Sequence, residues 1–301
     1  MCRFLAYAGD PVLAEDLLYN PRFSLIVAQS MQAEEMSVAV NGDGFGIAWY
    51  QPELDELPCV FRSIKPAWSD MNLKNLSKKI YSPLFIAHVR AASPGSSVEE
   101  VNSHPFQCGK LVFMHNGMVG EFNKIRRPLL RRLNDVAYEA IMGSTDSEHM
   151  FGLFLNHIED PFGDVSTDEL TYAMNKMLDD YCELYLECGL KKHSYLNFCV
   201  TNGKAIVATR YTTNPLVQPS TLYYMYGSKY HCNSGECQMD PAAGGRPDAV
   251  IIASEPFTTR RSDWMKVERN VLMIIDENKN IKFQSLRLPI EDLEQEPAYT
   301  P

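Results

Sequence analysis

The sequence predicts an α+β protein in which helices cover an antiparallel core, and three observations carry that prediction. Strand-like runs rich in Val, Ile, Tyr and Phe occupy both ends of the chain, helical periodicity is concentrated in the middle, and turn signals such as Asn202-Gly203 join neighbouring runs as hairpins. The first run follows the initiator at once: in MCRFLAYAGD, residues 4–7 read as the opening of a buried strand. Further strands are expected at 44–50 (GFGIAWY), 59–64 (CVFRSI), 84–92 (LFIAHVRAA) and 110–116 (KLVFMHN). After the helical middle come 195–202, 205–211, 222–227, 249–254 and 270–276.

Two helices stand out between them. Met150, Phe151, Phe154, Leu155 and Ile158 share one helix face, with Thr145 and Glu148 as a capping box at its start. Leu170, Met174, Met177, Tyr181 and Leu184 line a second, opened by Ser166 and Glu169. No repeat or Gly/Ser-rich linker divides the chain, so one domain over residues 1–301 is expected, with a loop excursion near 228–247 whose break falls at 235–247 (GECQMDPAAGGRP).

Composition limits what the protein does. Across 301 residues, 45% are hydrophobic and 22% charged, ordinary values for a chain that buries a sizeable core. The net charge of -10 opposes a nucleic-acid surface, which needs clustered Lys and Arg. The basic residues from Lys124 through Arg132 have helical spacing and are expected to form a solvated helix face. The apolar stretch after Arg3 ends at Asp10 and Pro11, too short for a signal peptide, and no later run nears the roughly 20 residues of a membrane span. A cytoplasmic protein without membrane or nucleic-acid partners is expected. The eight cysteines, at 2, 59, 108, 182, 188, 199, 232 and 237, are spread thinly, and are expected mostly reduced.

Cys2 has two readings. It is a small hydrophobe opening a strand, or, once Met1 is removed, a nucleophile whose own α-amine, with a reference pKa of about 7.7 to 8.0, serves as its base. Three further segments bear on the choice. Arg90 follows a run apolar enough to be buried, and its planar fork calls for a carboxylate, internal or belonging to a ligand. Asn116-Gly117 ends a strand, either as a plain turn or as an amide and a backbone N–H aimed at one oxygen. Asp146 sits in the first turn of a helix, where an acid complements the helix dipole with or without a further role. Together these residues supply what cleavage of a γ-glutamyl amide requires: a nucleophile, an oxyanion donor pair, a cation for a carboxylate and an anion for an ammonium.

The ordered motifs MCRF, DGFGIAWY, AHVRAAS, SHPF, HNG and STDSE resemble the class II glutamine amidotransferases, which are N-terminal nucleophile hydrolases. The resemblance covers residues 1 to about 160 by motif and implies four layers, αββα, with two mostly antiparallel sheets face to face. It also implies roles. Cys2 becomes the nucleophile that forms a γ-glutamyl thioester, Arg90 the ligand of the substrate α-carboxylate, Asp146 the receiver of the α-ammonium, and Asn116 with Gly117 the oxyanion hole. Ser93 stands where relatives commonly carry Thr, on a loop closing over glutamine. His104, in SHPF, matches a motif beside that loop; a supporting role and a purely structural one are equally compatible with the sequence.

No phosphate-binding loop of a synthase domain follows. The chain therefore resembles the stand-alone branch that includes γ-glutamyl amidohydrolases of ergothioneine synthesis and glutathione degradation, with no cofactor and a small γ-glutamyl substrate. Hydrolysis of a γ-glutamyl amide with release of glutamate is the expected activity. The alternative is a glutaminase subunit that passes ammonia to a separate synthase, and a synthase or peptidase partner subunit is compatible with either. A third reading is a catalytically silent relative that binds γ-glutamyl ligands. A non-enzyme reading rests on YHCNSGECQM, where His231, Cys232 and Cys237 would bind metal or sense redox state. The four-residue gap between those cysteines departs from the usual C-x-x-C, which favours a reduced loop.

Overall fold

The computed structural model describes residues 2–31, 40–92, 96–233 and 235–287. In chain order the first strands are β1 (Arg3–Leu13), β2 (Phe45–Gln51), β3 (Asp55–Ser63), β4 (Tyr81–Val89), β5 (Phe106–Cys108) and β6 (Leu111–Met118). They are followed by β7 (Tyr195–Thr201), β8 (Ile206–Arg210), β9 (Tyr223–Gly227), β10 (Tyr230–Asn233) and β11 (Glu236–Met239). The last are β12 (Ala249–Ala253), β13 (Met265–Lys266), β14 (Val271–Ile275) and β15 (Ile281–Ser285). The α-helices are α1 (Ala14–Leu18), α2 (Met71–Leu76), α3 (Phe122–Leu130), α4 (Asp135–Glu139), α5 (Asp146–Leu155) and α6 (Thr167–Glu187).

One antiparallel sheet has the order β13-β9-β12-β1-β4-β2-β3, and a second has the order β15-β14-β8-β7-β6-β5. The period-2 alternation of β1 shows how they stack. Phe4, Ala6 and Ala8 join Val112, Met114, Cys199, Ala208 and Met273 of the second sheet in the shared core, while Leu5 and Tyr7 point the other way, into the cluster that holds Ala14 and Leu17. The second sheet's outer face, including Phe113, Phe198 and Val207, packs on α5 and α6 through Phe151, Phe154, Met174 and Tyr181. The result is the expected αββα arrangement of an α+β fold.

Both expected helix caps form, though only in half. Thr145 accepts from the Glu148 N–H and Ser166 from the Glu169 N–H. The Glu148 carboxylate does not reach back to the cap; it accepts from the N–H groups of Met142 and Gly143, tying down the preceding loop. The 228–247 segment departs from a plain loop: β10 and β11 pair as a hairpin in which Cys232 faces Cys237, and the two are joined by a disulfide. That corrects the reduced-loop expectation there and removes both thiolates from the metal-binding reading. The other six cysteines are free thiols.

Candidate active site

The nucleophile candidate is fixed by register. β1 lies between β12 and β4, with Arg3 opposite Val89, so Cys2 meets the chain where it leaves β4 at Arg90 and Ala91. The Cys2 Sγ accepts from the Ala91 N–H at 3.4 Å and lies 3.6 Å from the Ala91 carbonyl oxygen. Burial pushes the Cys2 thiol pKa up, opposed by the Ala91 N–H and by the charges of Arg90 and Arg3.

What holds this terminus is a set of residues the sequence reading missed. Arg3 is buried, and its guanidinium is paired with the Glu255 carboxylate at 2.6 Å while Nη1 donates to the Cys2 carbonyl at 2.9 Å. Next to Glu255, Ser254 accepts from the Phe4 N–H at 3.0 Å and from the Asn116 side-chain amide at 3.3 Å. The end of β12 thus couples the nucleophile strand to the Asn116 strand. A charged residue directly ahead of an apolar strand was the available signal, but its partner lies 252 positions away.

Arg90 is buried just past the end of β4, with Nη2 donating to the Ser97 carbonyl at 3.0 Å. Its Nη1 is buried without a partner, and no carboxylate pairs with Arg90 among the described residues. The internal partner that sequence alone allowed is therefore not found among them. Asp146 begins α5, and its carboxylate accepts from the Val119 N–H at 2.7 Å and the Ser147 N–H at 2.8 Å. Cys2, Arg90, Gly117, Asp146 and His104 all line one cavity of about 550 Å³.

Asn116 and Gly117 do not form a turn, contrary to one expectation. They lie inside β6, which continues to Met118, opposite Asn197 and Leu196. Glycine is required at 117 because a Cβ there would overlap the Tyr195 carbonyl. Gly117 lines the cavity, whereas Asn116 is not among its lining residues; its amide nitrogen donates to Ser254 and its buried Oδ1 has no partner among the described residues.

His104 packs against His88 with ring centroids 4.2 Å apart and planes tilted by 34°, and meets Phe106 edge-on at 4.6 Å. Among the described residues neither of its ring nitrogens finds a partner, and burial together with neighbouring His88 holds its pKa well below the usual imidazole range. Its carbonyl presses on Gly46, where any side chain would collide, so the SHPF and GFGIAWY motifs interlock. Burial likewise lowers His88 to about 3. His115 bridges β6 to the helix: one ring nitrogen lies 2.8 Å from Ser147 Oγ, the other 2.9 Å from the Tyr195 carbonyl. Ser93 and Met1 lie outside the described residues.

The basic segment from 124 to 132 is not uniformly a solvated face. Lys124 pairs with Glu121, and Arg132 with Glu183 and Glu187, but Arg126 lines the same cavity as Cys2.

The fold brings Cys2, Arg90 and Asp146 to one cavity between the ends of β1, β4 and α5, and comparison with known proteins gives the class of the chain. Residues 13–296 match the model of the glutamine amidotransferases class-II, and the chain belongs to that family. It is 36% identical over 321 residues to a Saccharomyces cerevisiae protein named probable glutamine amidotransferase DUG3, covering 99% of this chain and 87% of the yeast protein. It is 31% identical over 258 residues to the gamma-glutamyl-hercynylcysteine sulfoxide hydrolase of Mycolicibacterium smegmatis, covering 85% of this chain and 88% of that one. Among solved structures, a glutamine aminotransferase class-II domain protein from Silicibacter pomeroyi superposes with a TM-score of 0.66 at 23% identity, covering 96% of this chain and all of that one. Among the described residues no helix is long and apolar enough to cross a membrane, and no group of three or more His, Cys, Asp or Glu is placed to hold a metal ion.

Proposed function

We propose that this chain hydrolyses a γ-glutamyl amide through a thioester on Cys2. The observation that carries the reading is a single cavity holding the Cys2 thiol, an Arg90 guanidinium whose buried Nη1 has no partner among the described residues, and the Asp146 carboxylate. Those charges match the α-carboxylate and α-ammonium of a glutamyl group. With Met1 removed, the α-amine of Cys2 takes the thiol proton, and sulfur attacks the side-chain carbonyl carbon. The Gly117 N–H and the Asn116 amide receive the negative charge on oxygen; the amide nitrogen carries a second hydrogen beside the one given to Ser254. The C–N bond breaks, the amine leaves with a proton, and water then cleaves the thioester to release glutamate and restore the thiol.

The relatives' names support this reading, one as a γ-glutamyl hydrolase and one as a glutamine amidotransferase. The second name also keeps alive the alternative, in which ammonia from glutamine passes to a synthase or peptidase partner subunit. A cytoplasmic location belongs to the same proposal, supported by the free thiols of the described residues, Cys59 exposed among them. The test is glutamate release from glutamine and from γ-glutamyl amino acids by wild type and Cys2→Ala. Loss of release in the variant is expected; unchanged turnover overturns the mechanism.

A further inference from the structure

On the proposed function, the two charges that receive the glutamyl group stand on different elements, Arg90 just past β4 and Asp146 at the start of α5. One buried side chain is tied to both. Asn102 lies two residues before His104, is 1% exposed and does not itself line the cavity. Its Oδ1 accepts from the Ser144 N–H at 2.8 Å, two residues ahead of Asp146. A backbone N–H can only donate, so this contact fixes which end of the amide is oxygen. The Nδ2 end donates to Ser97 Oγ at 2.7 Å, and the Ser97 carbonyl accepts from Arg90 Nη2 at 3.0 Å. Ser97 and Ser144 both line the cavity. Met142 and Gly143, on the same loop as Ser144, donate to Glu148, but that carboxylate belongs to α5 and ties the loop only to the helix that carries Asp146. Asn102 makes the tie across to the Arg90 side. The approach is close: a Cβ at Gly143 would collide with Asn102 Oδ1.

We propose that Asn102 is a positioning residue that sets the separation between the carboxylate-binding and ammonium-binding ends of the cavity, so that a ligand carrying both charges engages both at once. This rests on the proposed function, since it concerns how that site recognises the glutamyl zwitterion. A primary amide suits the task because it carries a donor and an acceptor on one rigid plane, and here each end is used on a different wall. Two contacts to one ligand reinforce each other only while their spacing is held; when one end drifts, one contact is made at the expense of the other. Loss of the Asn102 amide therefore falls on ligands with both charges and spares those with one.

The test compares three substrates that share one leaving group, glycine or, in the corresponding primary amides, ammonia. They are γ-glutamylglycine, glutarylglycine, which lacks only the α-amine, and 4-aminobutanoylglycine, which lacks only the α-carboxylate. In Asn102→Ala, kcat/KM for γ-glutamylglycine is expected to fall about 10-fold, mainly through KM, while the two one-charge substrates change by about 2-fold or less. Where an analogue is turned over too slowly, its inhibition constant against γ-glutamylglycine replaces kcat/KM. Ser97→Ala removes only a hydroxyl at an exposed position and should give the same pattern at about 3-fold, which keeps the test decisive if circular dichroism shows Asn102→Ala unfolded. An equal loss on all three substrates overturns the inference and makes Asn102 a merely structural residue. A loss shared by γ-glutamylglycine and only one analogue also overturns it, because Asn102 would then support one end alone. So does an unchanged kcat/KM. Absence of Cys2-dependent glutamate release from γ-glutamylglycine and from glutamine by wild type overturns the parent reading instead and removes the basis of this one.

Discussion

The structure behind Cys2, on one wall of the cavity, and the wall that carries Arg90 and Arg126 treat their charged groups in opposite ways. On the nucleophile wall, Arg3 is closed on itself by the protein: Glu255 takes its charge and the Cys2 carbonyl takes a further N–H. On the ligand wall, among the described residues, Arg90 keeps a buried Nη1 without a partner, and Arg126 donates to a neutral imidazole. A buried guanidinium left partly unsatisfied costs stability, and on the proposed function the α-carboxylate of the substrate completes it. The difference separates a residue that builds the site from one left available to a ligand, even though Arg3 and Arg90 are both buried arginines within a few residues of a strand end.

Breaking the first wall is expected to have the largest effect. Glu255→Gln leaves Arg3 as a buried cation without its counter-charge and should lower unfolding free energy by about 3–5 kcal/mol, measured by urea denaturation. An unchanged midpoint would show that the pair does not anchor the terminus. On the second wall the effect moves from stability to activity. Arg90→Lys should lower kcat/KM by roughly a hundredfold or more, because an ammonium cannot reproduce a two-point carboxylate fork, while stability changes by about 1 kcal/mol or less. Near-normal turnover would place the α-carboxylate elsewhere.

The smallest effect sharpens the comparison by pH. His88, His104, His115 and His149 all have depressed folded-state pKa values because they are buried. Below the unfolded value of about 6.5 the unfolded chain takes up protons that the folded chain refuses, so stability is lost as pH falls. For His88, whose folded pKa is about 3, the loss continues through that whole window and reaches about 2 kcal/mol by pH 5. His88→Gln should flatten the decline in midpoint between pH 7 and 5; an identical slope would argue against a neutral buried ring.

Much of this site was legible because its signals are local. Cys2 behind the initiator, Arg90 after an apolar run and Asp146 after a cap residue each announce themselves within a few positions, and all three line the cavity. The strands read from their β-branched and aromatic content have their counterparts, whereas the two-residue β13 and the edge strand β15, with three polar residues among five, carried too little apolar pattern to be seen. Asn116-Gly117 misled in one reading because the need for glycine comes from the Tyr195 carbonyl on the next strand, not from a turn. Arg3 with Glu255 is a pairing across most of the chain, which no local pattern encodes. Arg126 was hidden by its neighbours: in a run of basic residues at helical spacing, only the packing of α3 against His149 of α5 distinguishes the one that faces the cavity.

The central claim is that Cys2 carries the glutamyl group, and rapid-quench mass spectrometry of the N-terminal peptide tests it most directly. After mixing with γ-glutamylglycine, the peptide should begin at Cys2, without Met1, and should transiently gain one glutamyl group that hydroxylamine removes. A peptide that retains Met1 during full turnover, or a glutamyl group found on another residue, would contradict the account.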